Sequence, residues 1–130
     1  MDASVTYIGR IRSELKKMED CPKQESEQAP RATLVVDEAF REAAKDLRAG
    51  DRVILLCWLD RGRRNELTTR PRGNAAAPLT GVFSTRSPNR PNPIGLHHVA
   101  LVEKLAPLEW RISAIEVLDG TPVIDIKPVL

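Results

Sequence analysis

The chain has 130 residues, 42% hydrophobic and 29% charged, with a formal net charge of +2. That length predicts a single domain over residues 1–130, with roughly two-thirds of the unfolded surface buried around one core. The composition excludes a disordered chain. No apolar run approaches the roughly 18 residues that span a membrane, and so small a net charge does not by itself point to a nucleic-acid partner.

Met1-Asp2-Ala3-Ser4 runs straight into a strand pattern with no basic and apolar leader, which predicts a cytoplasmic location. Val5 to Arg12 alternates with period two, as a first strand does. Residues 13 to 31 are polar and unpatterned, a long loop holding Pro22-Lys23-Gln24. Thr33 to Val36 predicts a short strand, and Asp37 is placed to cap a helix with Phe40, Ala43, Ala44 and Leu47 along one face and Gly50 as its stop. Arg52 to Trp58 is an almost unbroken apolar run, expected to be a central strand buried on both faces, with Cys57 a buried free thiol and no CxxC pair.

From Asp60 to Pro78 the chain is a basic loop carrying Arg61, Arg63, Arg64, Arg70 and Arg72. Strands are then predicted over Leu96 to Glu103, Glu109 to Val117 and Pro122 to Lys127, with turns at Ala106-Pro107 and Asp119-Gly120. Strands dominate, the one helix is isolated, and no alternating strand–helix repeat occurs. The expected fold is therefore mainly β, a small barrel or pseudobarrel with one short helix. No Gly-x-Gly-x-x-Gly follows the first strand, which excludes the Rossmann way of building a nucleotide site.

Residues 81 to 96 concentrate function: Gly81-Val82-Phe83-Ser84-Thr85-Arg86-Ser87-Pro88-Asn89-Arg90-Pro91-Asn92-Pro93-Ile94-Gly95-Leu96. Pro88, Pro91 and Pro93 cannot sit inside a central strand, and each pushes its preceding residue towards extended geometry. The stretch therefore reads as a rigid ledge that presents Arg86 and Arg90. Arg86 suits either bidentate pairing with a carboxylate or support of the loop's carbonyls. Three roles stay open for Arg90: an RNA phosphate, solvent, or a carboxylate across a dimer interface. His97 and His98 are adjacent, so on a strand they point to opposite faces and do not chelate one metal, and no metal site is expected. Asp119-Gly120-Thr121 brings a carboxylate, amides and a hydroxyl into one tight turn, which is also the chemistry of an ordinary Asp-Gly hairpin. Trp58 and Trp110 lie within strand patterns and are expected in the core, leaving an arginine plane as the platform for any unstacked base.

Thr85-Arg86-Ser87-Pro88, Arg90-Pro91-Asn92-Pro93-Ile94-Gly95 and Asp119-Gly120-Thr121-Pro122-Val123-Ile124-Asp125-Ile126-Lys127-Pro128 together resemble the signature of the TrmO family, also called TsaA-like or YaeB-like. Ile8-Gly9-Arg10-Ile11-Arg12-Ser13 and Pro22-Lys23-Gln24 extend the likeness over nearly the whole chain. The resemblance implies a small β-barrel that binds S-adenosylmethionine and methylates N6 of threonylcarbamoyladenosine beside the tRNA anticodon. It implies cofactor contacts from Pro22, Lys23, Gln24, Leu59, Asp60, Arg86, Leu96, Leu118, Asp119, Gly120 and Thr121, and a homodimer with the cofactor near the subunit interface. Substrate RNA is expected at Arg63, Arg64 and Arg90, while no catalytic residue is assigned. The sequence ends at Val129-Leu130, short of the C-terminal region of longer tRNA-modifying relatives. Two alternatives therefore stand beside RNA methylation: a small-molecule or peptide acceptor, and a non-enzymatic cofactor-binding module.

Overall fold

The computed structural model describes residues 2–13, 32–71, 74–113, 115 and 117–130. Six strands close an antiparallel barrel: β1 (Gly9–Ser13), β2 (Ala32–Val36), β3 (Arg52–Trp58), β6 (Ile94–Ala106), β7 (Glu109–Ile112) and β8 (Pro122–Pro128). The order around the barrel is β1-β2-β7-β6-β3-β8, and a small separate ribbon pairs β4 (Thr68–Thr69) with β5 (Thr80–Gly81). Closure removes the sheet edges that would otherwise invite pairing with another chain.

Alternation along each strand sends one set of side chains inward. Ile11, Leu34, Leu55, Leu101, Trp110 and Val123 are fully buried and form the centre of the core. The run Arg52 to Trp58 is a strand as expected, but only Val53, Leu55 and Cys57 are buried, while Ile54, Leu56 and Trp58 are half-buried on the outer face. A closed barrel has one interior, so its strands alternate even where the sequence is continuously apolar. Cys57 is the expected buried free thiol, and desolvation pushes it up to about 12.

The expected helix after Asp37 is instead two 3-10 turns, Glu38–Phe40 and Glu42–Ala44. Asp37 is extended and makes no side-chain cap bond. Bonds three residues apart run from Phe40 N to Asp37 O and from Leu47 N to Ala44 O. This spacing brings Glu38 over Arg41 and Glu42 over Lys45 in ion pairs of 2.7 and 2.9 Å. Ala44 is buried while Ala43 is exposed, and Phe40 and Leu47 pack on the core from its edge.

β6 is longer than the expected strand and starts inside the proline-rich signature. Its register against β7 shifts twice, between Leu101 and Glu103 and between Lys104 and Ala106. Such bulges bend a strand, and here they let β6 serve both β3 and β7 around the barrel wall. β7 stops at Ile112 rather than Val117, and just beyond it Ser113 N donates to Ala100 O at 3.0 Å while Ala100 N donates to Ser113 Oγ at 2.9 Å.

Candidate functional site

β3 and β6 run antiparallel with Leu56 opposite Leu96 and Trp58 opposite Ile94, so the outward side chains at this end of the pair make an apolar floor. The loops that leave these strands stand over it. Leu59 N donates to Pro93 O at 2.7 Å, and Gly62 N donates to Leu59 O at 2.8 Å, folding the basic loop back against the proline ledge. A Cβ on Gly62 would stand 2.4 Å from Pro88 O, so only glycine permits this approach. Pro93 is fully buried at the junction. Between loop, ledge and floor lies a cavity of about 820 Å³, within the usual size of small-ligand sites.

The arginines of the two loops divide sharply by role. Arg90 is half-buried and donates to three ledge carbonyls: Val82 O at 2.7 Å, Thr85 O at 2.9 Å and Ser87 O at 3.1 Å. The loop-supporting role considered for Arg86 thus falls to Arg90, a role beyond the three left open for it. Arg64 donates to Pro91 O at 2.7 Å and Asn92 Oδ1 at 3.1 Å, and lies 5.3 Å above the Trp58 ring. Trp58 is therefore a half-buried support for Arg64 rather than a core residue, whereas Trp110 is fully buried as expected. Arg63 pairs with Glu66 at 2.9 Å, and its backbone N donates to Asn89 Oδ1 at 2.9 Å. Arg61 and Arg86 are exposed, line the cavity, and form no hydrogen bond or ion pair with any described residue.

The cavity gathers most of the expected cofactor residues. Leu59, Asp60, Arg86 and Leu96 line it, as do Leu118 and Thr121 on the segment that leads into β8. Of the expected RNA-binding arginines, Arg63 and Arg90 line it and Arg64 stands outside. Pro22, Lys23 and Gln24 lie outside the described residues. Leu56, Phe83, Thr85, Ile94 and His97 also line the cavity, though sequence reasoning assigned none of them to a ligand. His97 is half-buried and His98 exposed, in line with their expected opposite facing. Among the described residues no cluster of three or more His, Cys, Asp or Glu could hold a metal ion.

The turn at Asp119 serves mainly the barrel. β7 and β8 are not neighbours, so it is no hairpin. The β1–β8 seam has only two paired positions, Gly9 with Val123 and Arg10 with Pro122. The turn lengthens it: Gly120 N donates to Ile11 O at 2.7 Å, Ile11 N to Thr121 O at 2.9 Å, and Ser13 N to Asp119 Oδ1 at 2.8 Å. The Thr121 hydroxyl donates to Leu118 O at 2.7 Å, and Gly120 adopts φ +85°, the left-handed geometry that favours glycine. These groups close the barrel while leaving Leu118 and Thr121 at the cavity wall.

Comparison with known proteins adds identity to this geometry. Residues 10–130 match the family model of the tRNA-methyltransferase O N-terminal domain. The chain belongs to this family. It is 37% identical over 127 residues to a probable S-adenosyl-L-methionine-binding protein, VirR, of Rhizobium radiobacter, covering 98% of this chain and 71% of that one. A probable S-adenosyl-L-methionine-binding protein of Methanothermobacter thermautotrophicus is 37% identical over 128 residues, 98% of this chain and 90% of its own. The crystal structure of TrmO from Pseudomonas aeruginosa superposes with a TM-score of 0.75 at 36% identity, over 100% of this chain and 57% of that one. The chain thus spans little more than half of the crystallised TrmO.

Proposed function

We propose that this TrmO-family barrel binds S-adenosylmethionine in the cavity between the two loops and transfers its methyl group to an RNA base amine, the acceptor being threonylcarbamoyladenosine in tRNA. The observation that carries the reading is the division of the arginines: a stapled ledge presents Arg86, which has no partner among the described residues, to a cavity that Asp60 and an apolar floor also line. Those groups fit the cofactor's chemistry. Arg86 matches its carboxylate, Asp60 offers acceptors to the ribose hydroxyls, and Leu56, Leu59 and Leu96 suit the flat purine and the uncharged stem.

The cofactor, when bound, supplies a methyl group already activated on a sulfonium. What remains for the protein is to bring the acceptor nitrogen into line and keep water out. Arg90 and Arg64 hold the ledge before any ligand arrives, so ordering it costs little at the moment of binding. The test is purified protein with labelled cofactor and tRNA carrying threonylcarbamoyladenosine. Label in RNA that ribonuclease releases is the expected result. Label that survives ribonuclease assigns a small-molecule or peptide acceptor, and tight cofactor binding with no transfer assigns a binding module.

A further inference from the structure

Phe83 is 82% exposed, although a phenylalanine ring kept in water forgoes roughly 1.5–3 kcal/mol of burial. It is not a loose side chain on a mobile tip. The 3-10 turn Val82–Ser84 carries it, and neighbouring Val82 is buried. Val82 N donates to Leu67 O at 3.0 Å, while Val82 O accepts from Arg90 at 2.7 Å and from the Thr85 hydroxyl at 3.0 Å. The backbone that carries the ring is therefore held at the cavity wall, with the ring open to solvent. The other four aromatic residues cannot serve there: Trp110 is buried, Phe40 packs on the core, Arg64 covers Trp58, and Tyr7 precedes β1 away from the cavity lining.

Arg61 and Arg86 line the same cavity without a partner among the described residues. An exposed aromatic ring on a held turn, lining one cavity with guanidinium groups that have no partner among the described residues, is the chemistry that recognises an unstacked base and its phosphate. A second copy of the chain is the competing occupant, and its seating on this ring would show as a changed oligomeric state in Phe83→Ala. The cofactor is the poorer match, since the Leu56–Leu96 floor already offers its purine an apolar face.

We propose that Phe83 is the stacking platform for the acceptor base, with Arg61 taking an adjoining phosphate. This rests on the RNA-methylating reading and assigns its acceptor subsite. The test pairs two short single-stranded RNAs, one carrying threonylcarbamoyladenosine and one abasic at that position, with wild-type protein, Phe83→Ala and Phe83→Trp, each read by fluorescence anisotropy. Wild type should bind the intact RNA roughly 5- to 150-fold more tightly than the abasic one. Phe83→Ala should bind both at the abasic level, and Phe83→Trp should restore the difference. Cofactor affinity and sedimentation of Phe83→Ala should match wild type. The platform is overturned if Phe83→Ala still distinguishes the two RNAs, if it loses cofactor instead, or if it changes oligomeric state. Wild type that shows the Phe83-dependent difference but transfers no methyl group would sink the methyltransferase reading alone. Transfer to RNA without that difference would sink the platform alone.

Discussion

The β1–β8 seam and the loop ledge are both built from signature residues, yet they use polar groups in opposite ways. At the seam, Asp119, Gly120 and Thr121 direct carboxylate, amide and hydroxyl onto the backbone of β1 and of their own turn. At the ledge, Arg90 and, from the basic loop, Arg64 take up the backbone carbonyls, while Arg86 and Arg61 line the cavity with no partner among the described residues. The signature therefore mixes side chains bonded within the fold with side chains left open over the cavity. Internal bonding tells them apart, and position in the motif does not.

The largest effect should come from removing the staple. Arg90→Ala strips three charge-assisted bonds from the ledge carbonyls and should weaken cofactor binding by about 3 kcal/mol, measured by calorimetry. Unchanged affinity would mean that the ledge holds itself. Arg86→Ala should weaken cofactor binding by roughly 1.5–3 kcal/mol while leaving thermal unfolding unaltered, because the side chain has no partner to lose among the described residues. If Arg86→Ala lowered the melting temperature, the contrast with Arg90 would collapse.

Asp119→Ala should do the reverse, costing about 1–2 kcal/mol of stability without cofactor, as the Ser13 amide loses its acceptor. Thermal unfolding of the free protein checks this, and an unaltered melting temperature would return Asp119 to the ligand. Arg63→Ala breaks only an exposed pair with Glu66 and should change stability by less than about 0.5 kcal/mol. The smallest effect is none. With its thiol pushed up to about 12 by burial, Cys57 stays protonated in the fold and should resist alkylation at pH 8 until the barrel unfolds. Above pH 9 the sign is fixed too: the unfolded thiol ionises first, so this group favours unfolding as pH rises towards 12.

The barrel was largely legible because period-two patterning and the Pro107, Gly120 and Gly50 punctuation report on local geometry. The misread parts depend on contacts distant in sequence. Nothing local reveals that the Asp37 segment settles as 3-10 turns, or that Arg52 to Trp58 has a single interior to face. The ledge was legible in its prolines, but Arg86 and Arg90 differ only in which carbonyls lie within reach after folding. Phe83 was not legible at all, because its exposure depends on Val82 taking the buried place in the 3-10 turn.

Calorimetry of S-adenosylmethionine with wild type, Arg86→Ala and Asp119→Ala, all below their unfolding temperatures, tests the division most directly. Micromolar binding by wild type, binding by Asp119→Ala within about twofold of it, and a loss of roughly 10- to 150-fold for Arg86→Ala are predicted. No binding by wild type, or equal losses in the two variants, would contradict the account.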